Sequence, residues 1–103
     1  MKESEYILRY LADIKSELME SGVEKIALFG SFASNRADRY SDIDIAIKIR
    51  NDYLDKCDVW EYFNLIKKIK SMLSKRFSRK VDIYDLDSAG DLRKVISKDL
   101  IYV

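Results

Sequence analysis

Alternating helical and strand periodicities predict an α/β fold for these 103 residues. Three observations carry that reading. Ile7, Leu11, Ile14 and Leu18 recur at helical spacing; the run Asp42-Ile43-Asp44-Ile45-Ala46-Ile47-Lys48-Ile49 repeats every second residue; and a long helical stretch separates it from a second alternating run, Lys80-Val81-Asp82-Ile83-Tyr84.

The first helix is expected from about Ser4 to Ser21, with Gly22 as its stop. Lys25-Ile26-Ala27-Leu28-Phe29 then reads as a short buried strand that ends at Gly30, and Ser31-Phe32-Ala33-Ser34-Asn35 can begin a helical turn. In the strand from Asp42 to Ile49 the isoleucines take the core side and the aspartates the wet side. Asn51 or Asp52 is expected to cap one long second helix reaching about Arg76, with Trp60, Phe63, Ile66, Ile69 and Leu73 on its buried stripe. Tyr62, Leu65 and Met72 lie beside that stripe and widen the apolar arc enough for part of it to meet a partner. The strand Lys80 to Tyr84, a short helix capped by Ser88 and running to about Ile96, and a terminal strand over Leu100-Ile101-Tyr102-Val103 complete the order. There is no repeat, linker or proline, and the length suits one domain over 1–103.

Composition narrows the chemistry. Histidine is absent and Cys57 is the single cysteine, which removes His general-base catalysis, disulfides and Cys- or His-rich zinc sites. Carboxylates and hydroxyls remain. A formal net charge of +1 gives no whole-molecule basic field, so nucleic acid is not expected as a direct ligand. The basic run from Lys67 to Lys80 reads as a solvated helix face. No apolar run is long enough to span a bilayer and no signal-like start is present, so a cytoplasmic protein without membrane contact is expected.

The informative constellation is Gly30-Ser31 followed at short range by Ser41-Asp42-Ile43-Asp44. A strand that stops at glycine before a helical turn points backbone N–H groups beyond the strand end, where a phosphate fits. Asp42 and Asp44 share one strand face and stand close enough to hold hard divalent cations, which would relieve their mutual repulsion. Asp82 joins them if its strand lies alongside with the same face open; three carboxylates then suffice for two magnesium ions and for activating an incoming hydroxyl. Asp85 and Asp87 read as turn residues, and Trp60 and Phe63 as core rather than a base-stacking platform. Tyr53, Tyr62, Tyr84 and Tyr102 are each open to core or interface roles.

Leu28-Phe29-Gly30-Ser31-Phe32-Ala33, Ser41-Asp42-Ile43-Asp44-Ile45 and Lys80-Val81-Asp82-Ile83 together resemble the minimal nucleotidyltransferases of the polymerase-beta-like superfamily. The resemblance extends over nearly the whole chain. It implies a small nucleotidyltransferase-like domain, a mixed sheet with helices on one face and the active site on the open face. It also implies that Gly30 and Ser31 hold nucleotide phosphates while Asp42, Asp44 and Asp82 bind metal and carry catalysis. The activity implied is magnesium-dependent transfer of a nucleoside monophosphate, AMP from ATP, to a hydroxyl. The partner implied is a helical HEPN-type toxin, the chain acting as its antitoxin in a hetero-oligomer, with a homodimer as the other assembly. Two alternatives stand beside it: an antitoxin that only occludes its toxin, and an adenylyltransferase for a small-molecule hydroxyl. Where the family often carries Arg-Gly after the cradle, this chain has Ser34-Asn35, and Arg36 or Arg39 is the nearest substitute for the missing arginine. Asparagine tolerates left-handed backbone, so the turn itself is expected to survive.

Overall fold

A computed structural model describes residues 2–95 and 99–103. The chain runs α1 (Glu3–Glu20), β1 (Val23–Phe29), β2 (Ile43–Ile49), α2 (Asn51–Lys56), α3 (Val59–Phe77), β3 (Val81–Asp85), α4 (Ala89–Val95) and β4 (Ile101–Tyr102). The expected α/β order is therefore present; the expected helix end at Ile96 lies outside the described residues. The strands form one mixed sheet in the order β3-β2-β1-β4. Strand β1 is antiparallel to both β2 and β4, while β3 runs parallel to β2. The C-terminal end of β1 thus meets the N-terminal ends of β2 and β3 at one end of the sheet.

Each local pattern has a visible outcome. Ile7, Leu11, Ile14 and Leu18 are the buried residues of α1. The helix closes with the Ser21 N–H donating to the Glu17 and Leu18 carbonyls, and Gly22 turns the chain into β1 at φ +112°. A Cβ at Gly22 would stand 2.6 Å from the Tyr53 ring, so this turn excludes any larger residue on both counts. In β2, Ile43, Ile45, Ile47 and Ile49 are completely buried, as period-two alternation requires. They pack with α1 and α3 into the main core. The opposite sheet face carries a smaller cluster of Ala27, Phe29, Ala46 and Val95, edged by Tyr84, Leu86 and Leu100. Among the described residues, α4 contributes to that face through Val95, and the acidic end beyond it is left open.

The stretch read as one long helix is two. The break falls at Cys57-Asp58, where Asp58 is extended and its carboxylate accepts the Glu61 N–H at 2.8 Å. Asp58 followed three residues later by Glu61 is a helix-start signature, and it outweighs continuation from Asn51. The buried stripe is also rotated from the expected one: Leu65, Ile69 and Leu73 are the buried residues of α3. Trp60 is 76% exposed and Phe63 58% exposed, so neither is a core residue. Both lie on the face of α3 turned away from the core, while Tyr62 between them packs against it. At its far end α3 stops on Ser78, which takes the left-handed conformation at φ +53°.

Candidate active site

Gly30 follows directly on β1, and its φ of +77° belongs to the left-handed region. Phe29 pairs with Asp44 across the β1–β2 ladder, so the Asp44 side chain lies over the glycine. A Cβ there would stand 2.3 Å from Asp44 Oδ2. A side chain there would have to displace the Asp44 carboxylate. The chain then makes a single turn: the Ser34 N–H donates to the Gly30 carbonyl at 3.0 Å and the Arg36 N–H to the Ser31 carbonyl at 2.8 Å. Ser34 Oγ also donates to the Gly30 carbonyl at 3.0 Å, and Asn35 supplies the left-handed residue, φ +63°, that closes the turn. As at any helical start, the first N–H groups, at residues 31–33, have no acceptor inside the turn.

The acidic residues reach the same end of the sheet by different routes. Asp42 stands just before β2, between two pinned neighbours. The Ser41 carbonyl accepts from Arg79 Nη1 at 2.6 Å, and the Ile43 N–H donates to the Lys80 carbonyl at 2.9 Å. Arg79 also pairs with the Glu3 carboxylate at the start of α1 and lies 4.9 Å over the Phe32 ring. One guanidinium therefore joins the first helix, the cradle and the acidic loop. Asp44 and Asp82 are register partners in the parallel β2–β3 pair, which puts both carboxylates on one face of adjacent strands. All three aspartates are half-buried.

Gly30, Ser31 and Asp44 line one cleft of about 430 Å³ together with Phe29, Tyr84 and Lys94. Asp82 and Asp42 are not among its lining residues: Asp82 is the register partner of Asp44 on the neighbouring strand, and Asp42 lies two residues before Asp44. Among the described residues no three carboxylate or thiolate side chains are already gathered at ion-holding distance. Neighbouring strands lie about 4.8 Å apart, so Asp44 and Asp82 close on a common ligand by side-chain rotation alone. The field of these acids is visible at Tyr84. Burial first, then Asp44, Asp82, Asp91 and Asp42, raise its phenol above the usual tyrosine range. The donor set is hard oxygen and the glycine leaves room for a close approach, so the residues present fit a divalent cation such as magnesium beside a phosphate.

Two residues of this cleft, Tyr84 and Lys94, lie outside the constellation that the sequence motifs point to. Tyr84 has a signal, since period two places it on the face of Asp82; its ring packs edge-on against Phe29 at 5.1 Å. Lys94 has none, because it reaches the cleft only through the packing of α4. Of the two arginines expected to stand in for the family's arginine, neither lines this cleft: Arg36 Nε donates to Ser34 Oγ at 3.1 Å, and the Arg39 guanidinium sits 5.0 Å over the Tyr40 ring. Asp87 lies in the turn after β3 as expected, its N–H donating to Asp85 Oδ1 at 2.8 Å, whereas Asp85 is the last residue of β3, paired with Ile47.

The family model described as polymerase beta, nucleotidyltransferase, matches residues 12–103. A protein of Methanocaldococcus jannaschii, provisionally named a protein adenylyltransferase, is 35% identical over the whole of both chains. A second protein of that organism, with the same provisional name, is 33% identical over 100% of this chain and 97% of its own. Among solved structures, a provisionally named nucleotidyltransferase from Sulfolobus solfataricus has a TM-score of 0.55 at 24% identity, covering 95% of this chain and 82% of that one. A toxin–antitoxin structure with AMP-PNP has the same score and identity, over 85% of this chain and 69% of that one. The structural matches share the fold. No described helix is long and apolar enough to cross a membrane.

Proposed function

The chain belongs to the polymerase beta nucleotidyltransferase family, and from that premise we propose that it transfers AMP from ATP to a hydroxyl of a partner protein. The observation that carries this reading is Gly30: the left-handed turn of the cradle stands against the Asp44 carboxylate, which any Cβ there would displace. Transfer to a protein is supported by end-to-end similarity to relatives named for that activity. The toxin–antitoxin setting of a fold neighbour supports a toxin as the partner, with this chain its antitoxin; that the toxin is of the HEPN type rests on the resemblance of the motifs alone.

In this reading Gly30, Ser31 and the first N–H groups of the turn hold the outer phosphates and leave the α-phosphorus beside the acidic residues. Asp42, Asp44 and Asp82 would hold magnesium, in a two-ion arrangement, which supplies charge neutralisation at the phosphoryl oxygens when bound. Asp82 takes the proton of the acceptor hydroxyl as its oxygen bonds to the α-phosphorus. The bond from that phosphorus to the oxygen bridging to the β-phosphate breaks, and pyrophosphate leaves.

The test is intact-mass measurement of the partner after incubation with this protein, ATP and magnesium. Wild type adds one AMP per modified hydroxyl. Asp42→Asn with Asp44→Asn lowers the rate by at least about a hundredfold, and Asp82→Ala keeps the complex while losing the modification. Suppression of the partner at one-to-one ratio with no added mass would replace this reading with occlusion, since a blocker does not turn over.

A further inference from the structure

A nucleoside triphosphate carries several negative charges into a cleft already lined with carboxylates, so a protein cation is needed where its outer phosphates lie. Among the six described residues that line the cleft, the cationic one is Lys94. It stands in the last turn of α4, next to Val95, which is completely buried in the second-face cluster and so holds that turn against the sheet. Its Nζ lies 5.9 Å from the centre of the Tyr84 ring. Arg36, Arg39, Arg79 and Lys48 are not among the residues lining the cleft, and two of them are held in ion pairs, Arg79 with Glu3 and Lys48 with Asp87 at 3.1 Å.

Resting on the nucleotidyl-transfer reading above, we infer that Lys94 is the cleft's anion-binding side chain and contacts the outer phosphates of the bound triphosphate. The outer phosphates are its target because it shares the cleft with Gly30 and Ser31. Lysine chemistry suits this role, because a compact ammonium on a flexible stem reaches a phosphate oxygen without fixed fork geometry. The contact with Tyr84 does not hold it back. An exposed cation–ring contact stabilises by about 0.5–1 kcal/mol, whereas a hydrogen bond between charged groups contributes about 1.5–3 kcal/mol.

The experiment measures ATP and AMP affinity by displacement of a fluorescent ATP analogue from the full chain, at fixed magnesium and two salt concentrations. Lys94→Ala, at an exposed position, is expected to weaken ATP roughly tenfold or more and AMP less than about twofold. Its ATP affinity also becomes less sensitive to salt. Lys94→Arg restores ATP binding to within about threefold, and Arg39→Ala leaves it unchanged. Equal ATP affinity in wild type and Lys94→Ala overturns the inference while sparing the nucleotidyl-transfer reading. Equal loss of ATP and AMP overturns the assignment to the outer phosphates. If wild type binds no analogue, the nucleotidyl-transfer reading falls and this inference with it.

Discussion

At Gly30 two separate constraints meet, a left-handed φ of +77° and a carboxylate oxygen where a Cβ would stand at 2.3 Å. Either one disfavours substitution; together they make the position intolerant of alanine. Gly30→Ala is expected to destabilise the fold by about 1–3 kcal/mol through backbone strain and displacement of Asp44. Urea unfolding measures it, and an unchanged midpoint would mean that the Asp44 side chain does not rest on the glycine. Tyr62 offers a second test at the same scale. Its hydroxyl donates to the Asp85 carboxylate, and burial first, then that bond, raises its phenol above the ordinary value. The folded pKa is raised, so the contribution to stability is complete below the unfolded tyrosine value, about 10, and is lost as pH rises through the folded one. Tyr62→Phe should therefore lower stability at neutral pH by about 1 kcal/mol and flatten the alkaline limb of a stability-against-pH curve. An alkaline limb of equal slope in both proteins would remove Tyr62 from that role.

Helix α3 shows how a capping residue and a stripe jointly set an element. Asp58 starts the helix three residues before Glu61, and this start places Leu65, Ile69 and Leu73 over the sheet. Trp60 and Phe63 fall on the opposite face of the helix and stay in solvent, although Tyr62 between them packs on the core. The energetic consequence is opposite to what residue size suggests. Ile69→Ala is expected to cost about 2–5 kcal/mol as a buried cavity opens, while Trp60→Ala changes stability by less than about 0.5 kcal/mol. Paired chemical denaturation curves decide it, and a Trp60→Ala loss as large as that of Ile69→Ala would return the tryptophan to the core.

Arg79 acts over the whole molecule. It contacts Glu3 at the start of α1, the Ser41 carbonyl before Asp42, and the ring of Phe32 within the cradle. Residues far apart in sequence are thereby held at one end of the sheet, where the acidic residues and the Gly30 turn also lie. Arg79→Ala leaves the Ser41 carbonyl and the Glu3 carboxylate without that partner. It should destabilise by roughly 1–3 kcal/mol and raise the magnesium concentration needed for half-maximal transfer. Arg79→Lys should recover the Glu3 pairing only in part, since an ammonium lacks the planar fork. A variant with unaltered melting and unaltered magnesium dependence would show that the acidic loop holds its shape alone.

The amino-acid sequence by itself determined the order of helices and strands apart from the α2–α3 break, the inward isoleucines of β2, the Gly30 stop and the left-handed tolerance of Asn35, because each depends on local periodicity or on one residue's backbone freedom. It also brought Asp42 and Asp44 onto one face, since a strand's pleat needs no partner to define its sides. Tertiary structure alone decided the rest. The pairing of Asp44 with Asp82 depends on a parallel strand register that local pattern does not encode. Lys94 enters the cleft, and Trp60 leaves the core, through the way whole helices lie on the sheet. Those placements are settled by packing between distant segments, and a single sequence carries no local signal for them.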